Sequence, residues 1–182
     1  MPDSVLPLLT RNNRLDFMDF ISSDMKAEET NRLKGSSEMT RLTEDYCFIR
    51  LSALSTAEMK LLPLEDGGKV ICMVLSRRAS VWDSQVCFFT TEWKRLESGA
   101  FLDMPDVISF VSFPEDMPKW QRENVLNRLY PAFFSVKMQE SSTDLVITFT
   151  TPEYLNEDDR KEVSQFVTAT KTAVWKSDRF VW

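Results

Sequence analysis

Residues 69–76 read Lys-Val-Ile-Cys-Met-Val-Leu-Ser, with six consecutive apolar residues between two polar ones. β-branched and aliphatic residues of this kind are typical of strands. Successive side chains of a strand point to opposite faces of the sheet, so a strand that is apolar throughout is buried on both faces. The stretch therefore predicts a central strand with other parts of the chain packed on both of its faces.

The segments around this strand predict an antiparallel meander. Three further runs rich in aromatic, β-branched and aliphatic residues are Tyr46 to Leu54, Ala57 to Leu64 and Gln85 to Trp93. Asp66-Gly67-Gly68 precedes the central strand as a hairpin turn would. A parallel crossover needs a dozen or more residues, and these connections are shorter. The strands are therefore expected to pair antiparallel in chain order.

The residues before the meander have helical spacing. Leu15, Met18, Ile21 and Met25 repeat at intervals of three or four, which predicts a helix from Arg14 to about Leu33 that ends near Gly35. Asn12-Asn13 is the expected N-cap. The apolar stripe would pack this helix on the sheet.

The second half of the chain mixes both element types. Val107 to Phe113 predicts a strand, and Pro118 predicts the first turn of a helix that ends before Pro131. A hairpin follows, with strands from Phe133 to Gln139 and from Leu145 to Thr150. Asn156 is the expected cap of another helix, because three acidic residues follow it in the first turn. A last strand is predicted at 172–182.

The fold class predicted from these elements is α+β, an antiparallel sheet packed by helices. A chain of 182 residues buries about 70% of its unfolded surface, enough for one core. We expect a single compact domain over 1–182. The alternative is two pseudo-equivalent helix-plus-sheet lobes, 1–100 and 101–182, suggested by the similarity of Thr-Thr-Glu-Trp-Lys (90–94) to Thr-Ala-Val-Trp-Lys (172–176).

Charge argues against nucleic acid as a partner. The chain has 22 Lys and Arg residues against 28 Asp and Glu, a net charge of −6, and its densest basic patch is Arg77-Arg78. Nucleic-acid binders need a positive stripe to displace counterions. No apolar run approaches the roughly 20 residues of a membrane-spanning helix, so no transmembrane segment is predicted.

The residue inventory removes several classes of active site. The chain has no histidine, which excludes Ser-His-Asp and Cys-His arrangements and His-based metal sites. Its four glycines cannot form a nucleotide-binding loop. The three cysteines, Cys47, Cys72 and Cys87, lie in apolar runs without metal-site spacing. We therefore predict no cofactor, no metal and no nameable catalytic residue, although paired carboxylates remain a possible catalytic device.

Aromatic residues are the strongest hint of a binding surface. The chain has 13 Phe, five Trp and three Tyr. Exposed aromatic rings are common anchors in protein interfaces. The candidate partner-binding residues flank turns or chain ends; they are Trp82, Trp120, Tyr130 and Trp182.

Three stretches resemble a known family: MPDSVLPLLTRNNRLDFMDFISSDMKAEETNRLKGSSEMTRLTEDY (1–46), ICMVLS (71–76) and DSQVCFFTTEWKRL (83–96). They are similar to domain of unknown function 3256, found in Bacteroidales. Members look like exported proteins, which implies a mature form without its leader peptide, located in the periplasm or cell envelope. Cytoplasm is the alternative location. The resemblance implies no activity and no site residue.

Together these observations favour a non-catalytic exported protein that binds a protein, peptide or glycan through an aromatic-bearing sheet face. One alternative is a carboxylate-dependent hydrolase acting on a glycan, which needs a cleft with two facing acids. A second alternative is a carrier of a small apolar ligand, which needs an apolar cavity under the sheet.

Overall fold

The computed structural model describes all residues from Met1 to Trp182, and its strands form two antiparallel sheets. The first sheet has seven strands that pair in chain order. They are β1 (Ala27–Thr30), β2 (Ser36–Leu42), β3 (Tyr46–Ser52), β4 (Ser55–Pro63), β5 (Lys69–Arg78), β6 (Trp82–Thr90) and β7 (Arg95–Leu96). This arrangement confirms the predicted meander and the α+β class.

The second sheet has four strands in the order β11-β10-β9-β8. They are β8 (Phe134–Met138), β9 (Leu145–Phe149), β10 (Thr170–Lys176) and β11 (Arg179–Val181). The helices are α1 (Arg11–Ser22), α2 (Lys119–Arg128), α3 (Thr151–Tyr154) and α4 (Glu157–Ser164). None of them combines the length and apolar character needed to cross a bilayer.

Strand β5 is buried on both faces, as its sequence predicts. Val70, Cys72 and Val74 point towards the second sheet and join a hydrophobic core that contains Phe88 and Phe110. We call this the inter-sheet core; its other members are Tyr46, Leu62, Leu102, Val107, Val125, Leu129, Val136, Met138, Leu145, Ile147, Phe149, Val163, Ala173 and Phe180.

The opposite face of the first sheet carries a second core. Ile71 and Met73 of β5 pack there with Phe17 of α1, whose side chain is fully buried. We call this the helix-side core; its other members are Leu6, Leu9, Ala27, Met39, Cys47, Ile49, Leu51, Ala57, Cys87 and Phe89. The β4–β5 hairpin that holds these residues turns at Gly67, whose φ of +84° suits glycine.

Edge strand β8 lies against the face of the first sheet. Its outward backbone N–H groups donate to side chains rather than to another strand: Phe134 to Asp83, Val136 to Ser84 and Met138 to Glu58, at 3.1, 2.9 and 2.9 Å. Buried backbone donors need partners. The first sheet therefore supplies the hydrogen bonds that a further strand would otherwise provide.

The predicted helix from Arg14 to Leu33 is wrong in its second half. Helix α1 ends at Ser22, Asp24 adopts a left-handed φ of +54°, and β1 then pairs with β2. Residues 26–29 have fair helix propensity, but sheet pairing and the burial of Ala27 outweigh it. The N-cap is Thr10, and Asn13 is the reciprocal capping-box residue.

Two strand predictions also need correction. Val107 to Phe113 begins as a 3₁₀ helix, Val107–Phe110, whose buried residues Val107 and Phe110 are three apart. The predicted strand at 172–182 is a hairpin, because Ser177 and Asp178 both take positive φ, as in a type I′ turn. The other predicted strands, the helix after Pro118 and the Asn156 cap are confirmed.

Candidate functional site

An apolar groove with a volume of about 410 Å³ lies on the helix-side face of the first sheet. Helix α1 covers one part of this face and leaves the adjoining part open. The lining comprises 18 residues, of which 12 are hydrophobic. This volume is within the range of about 300–1,000 Å³ typical of small-molecule sites. The groove is therefore the candidate functional site.

The floor of the groove consists of side chains that share one face of β2 to β5. They form three directly opposed cross-strand pairs, and such pairs are in contact on a sheet face. The pairs are Met39 with Ile49, Cys47 with Met59, and Leu61 with Ile71. Strand alternation places the polar neighbours of these residues on the other face, so the floor has no charged side chain.

One wall of the groove is a single face of α1. Arg11, Leu15 and Met18 follow each other at helical spacing, and Arg14 lies beside them. Leu15 is 45% and Met18 is 51% exposed, although both are large and apolar. The sequence stripe that predicted core packing therefore lies partly on the groove wall, while Phe17 supplies the buried contact.

Trp93 forms part of another wall, in the turn between β6 and β7. Its ring lies 5.8 Å from that of Phe89. Its φ is +65°, a left-handed conformation that is unusual for a bulky residue. Such a conformation costs about 1–2 kcal/mol. The turn thus retains a tryptophan at the groove where glycine or asparagine would fit the backbone better.

The two arginines of the wall differ in their hydrogen bonding. The Arg14 guanidinium donates to the carbonyls of Leu9 and Met1, at 2.8 and 3.1 Å, and to Asp3 at 2.6 Å. Arg11 is exposed, and its side chain makes no hydrogen bond or ion pair within the chain. Arg11 is therefore a free cation beside an apolar surface.

Acidic residues reach the groove at the β2–β3 turn. Glu44 and Asp45 are consecutive in the chain, and Asp45 lies 3.4 Å from the ammonium of Lys60. Lys60 itself is buried and donates to the carbonyls of Gln139 and Glu140. These carboxylates share one turn and do not face each other across the groove.

The floor thiol and the remaining polar groups offer little reactivity. Burial raises the pKa of the Cys47 thiol to about 12, so it is neutral at physiological pH. All three cysteines are free and buried. No cluster of three or more Cys, Asp or Glu side chains is arranged to hold a metal ion. The groove is suited to binding by apolar contact.

A carboxyl group with an elevated pKa lies on the other face of the sheet. Burial raises the pKa of Glu58, which accepts hydrogen bonds from Tyr46 at 3.4 Å and from the Met138 backbone at 2.9 Å. Desolvation and the Glu58 charge also raise the pKa of Tyr46. Glu58 belongs to the contact between the sheets and does not line the groove, whereas Tyr46 belongs to that contact and also reaches the groove.

None of the four aromatic residues predicted to bind a partner lines the groove. Trp120, Tyr130 and Trp182 are at least half exposed, and Trp82 is partly buried at the start of β6. Tyr130 donates to Asp106 at 3.1 Å, and Trp182 donates to the carbonyl of Asp103 at 3.2 Å. No two of the four rings stack on each other, and partner binding through them remains a prediction.

Sequence reasoning missed Trp93 and Arg11. The apolar run from Gln85 predicts Trp93 as the end of a strand, whereas the structure places it in the connection from Thr91 to Lys94 between β6 and β7. Arg11 lay outside the predicted helix, so its alignment with Leu15 and Met18 was not visible.

The fold and the groove define a class: a two-sheet α+β protein with an apolar groove between its N-terminal helix and an open sheet face. The family model "Protein of unknown function (DUF3256)" matches residues 1–180. The chain belongs to this family, as its resemblance to that domain predicted.

A solved structure shows a similar fold. It is described as the structure of a domain of an uncharacterized protein from Porphyromonas gingivalis W83. The similarity has a TM-score of 0.87 and 28% sequence identity, and it covers 100% of this chain and 94% of that chain. Comparison with curated proteins finds no match.

Proposed function

We propose that the protein is a non-catalytic binding protein that takes a small apolar ligand in the groove beside α1. The observation that carries this proposal is the groove itself, about 410 Å³ in volume with 12 apolar residues among 18. Binding sites of this size are usually lined by apolar groups with a few polar ones at defined positions. Burial of each ligand methylene in such a site contributes up to about 0.8 kcal/mol.

Two features of the walls support a ligand. Leu15 and Met18 expose apolar surface towards the groove that the chain does not cover, and exposed apolar patches often mark binding sites. Trp93 keeps a left-handed backbone at the same place. Backbone strain tends to occur at functional sites.

The alternatives have less support from the geometry. A glycan hydrolase needs two carboxyl groups facing each other across a cleft, whereas Glu44 and Asp45 share one turn. A partner bound through Trp82, Trp120, Tyr130 and Trp182 would have to use rings that lie outside this groove. The resemblance to exported proteins supports a location in the periplasm or cell envelope as part of this proposal.

The test is titration with 1-decanol, a neutral ligand with a ten-carbon chain, by isothermal titration calorimetry. Met59→Glu places a carboxylate among the apolar floor side chains, where an unpaired charge is strongly unfavourable. We expect this variant to bind 1-decanol at least about ten times more weakly, a loss of about 1.4 kcal/mol.

Leu33→Glu is the matched control, because Leu33 is largely exposed and lies outside the groove. This variant should keep the wild-type affinity, and circular dichroism should show both variants folded. The proposal is contradicted if wild-type protein does not bind 1-decanol, or if Met59→Glu binds it as well as Leu33→Glu does.

A further inference from the structure

The polar groups around the groove are not equivalent, because the chain itself satisfies most of them. Arg14 is held by Asp3 and two carbonyls, and Asp45 is paired with Lys60. Two charged side chains remain without an ion pair, Arg11 on the α1 wall and Glu44 on the β2–β3 turn. The charge of the head group that the groove favours therefore depends on which of these two side chains it contacts.

Arg11 continues the apolar stripe of the α1 wall. Residues 11, 15 and 18 share one helix face, so the guanidinium lies at one end of a strip whose other members are Leu15 and Met18. A ligand lying along this strip would place its chain on Leu15, Met18 and the floor. Its end would then lie next to Arg11.

We propose that the ligand of this groove is a free single-chain amphiphile with an anionic oxygen head group, and that Arg11 binds that head group. This inference rests on the proposed function of the groove. A guanidinium presents several N–H donors in a planar fork that matches a carboxylate. Glu44 carries the opposite charge and repels the same head group.

The groove volume limits the chain length. A methylene is about the size of a water molecule, which occupies about 30 Å³ in the liquid. At this size, the 410 Å³ of the groove accommodates up to roughly fourteen such groups. A ten-carbon amphiphile is within this limit. The net charge of −6 disfavours docking on an anionic membrane surface, so the ligand is taken as a free molecule.

The experiment compares two ligands of the same length, decanoate and 1-decanol, below the concentration at which decanoate forms micelles. The quantity measured is the ratio of their dissociation constants, in wild-type protein and in Arg11→Gln. Removal of the cation should reduce the preference for decanoate by about 1.4- to fivefold, the range of an ion pair at a solvent-exposed site. Because 1-decanol is uncharged, the ratio removes any effect of the substitution that both ligands share.

Two variants serve as controls. Arg78→Gln removes an exposed arginine at the end of β5 that is outside the groove and makes no ion pair, and it should leave the ratio unchanged. Arg11→Lys keeps the charge and should retain most of the preference. Addition of 1 M salt, which shortens the Debye length to about 3 Å, should reduce the wild-type preference.

The outcomes separate the two proposals. If 1-decanol binds in the groove and Arg11→Gln does not alter the ratio, the inference of an anionic head group bound by Arg11 is wrong. The proposed function then stands. If decyltrimethylammonium binds more tightly than decanoate, the inference is wrong, and Glu44 rather than Arg11 binds the head group. If the protein binds phosphatidylglycerol vesicles but not free decanoate, the inference that the ligand is a free molecule is wrong. If neither ten-carbon ligand binds, the proposed function fails as well.

Discussion

At the residue level, Glu58 is the side chain in which burial and charge oppose each other most directly. It is 4% exposed, and its carboxylate accepts the hydrogen bonds of Tyr46 and of the Met138 backbone. Desolvation is the largest influence and raises its pKa, while these hydrogen bonds and the Lys137 charge lower it. The contact between the sheets thus includes a carboxyl group that ionises less readily in the folded state than in the unfolded state.

Glu58→Gln is expected to change the pH dependence of stability. A raised pKa means that the folded state binds the proton more tightly than the unfolded state. The stability that this adds is present below the unfolded pKa, near 4.5, and is lost as pH rises through the folded pKa. Glutamine does not ionise, so the free energy of unfolding of the variant should improve relative to wild type between pH 4 and pH 8.

Urea denaturation at several pH values measures this difference. The matched control is Glu115→Gln, because Glu115 is exposed and makes no ion pair. Its difference from wild type should stay constant over the same pH range. A difference between Glu58→Gln and wild type that does not vary with pH would show that burial does not hinder ionisation of Glu58.

At the level of elements, the edge of β8 determines how the sheets meet. Ser84 accepts the Val136 N–H at 2.9 Å, and its hydroxyl is 2.7 Å from that of Ser76. Ser84→Ala removes the acceptor and leaves a buried backbone donor without a partner. We expect a loss of about 1–3 kcal/mol in the free energy of unfolding. Hydrogen exchange of the Val136 amide should also become faster, because that donor is no longer bonded in the folded state.

Ser80→Ala is the control for this prediction, since Ser80 is exposed and its hydroxyl makes no hydrogen bond. A surface substitution of this kind changes stability by less than about 0.5 kcal/mol. Equal effects of the two substitutions would mean that the Ser84 hydroxyl does not support β8.

The elements differ in how far the sequence could predict them. Strands β3 to β6 were predictable, because apolar runs separated by turn residues specify a meander locally. Strand β1 was not predictable, because the sequence of residues 27–30 favours a helix. Only the pairing with β2 makes this segment a strand. The Val107–Phe110 segment failed similarly: its apolar run predicts a strand, whereas its buried positions follow a spacing of three.

The groove could not be predicted from local patterns. Its floor residues Met39, Cys47, Ile49, Met59, Leu61 and Ile71 are apolar, as any core residues would be. What makes them a site is that α1 stops at Ser22 and covers only one part of the sheet face. That is a property of tertiary packing, and the helix predicted to Leu33 would have implied more complete coverage.

At the level of the whole molecule, one strand belongs to two hydrophobic cores. Val70, Cys72 and Val74 of β5 face the inter-sheet core, and Ile71 and Met73 face the helix-side core. A loss of packing on either face therefore acts on the same strand. This arrangement couples the N-terminal helix to the second sheet, although α1 and the second sheet lie on opposite faces.

This coupling predicts that the chain unfolds as one cooperative unit. Phe17→Ala in the helix-side core and Phe110→Ala in the inter-sheet core each remove a fully buried ring, at a cost of about 3–5 kcal/mol. In each variant, hydrogen exchange of β2 and of β9 should become faster by the same factor. Urea transitions followed by near- and far-ultraviolet circular dichroism should coincide.

Leu54→Ala is the control, because Leu54 is exposed. This substitution should change neither the exchange rates of β2 and β9 nor the urea transition. If Phe17→Ala accelerates exchange in β2 and leaves β9 protected, the halves 1–100 and 101–182 unfold as separate lobes, because β5 does not transmit the loss of one core to the other.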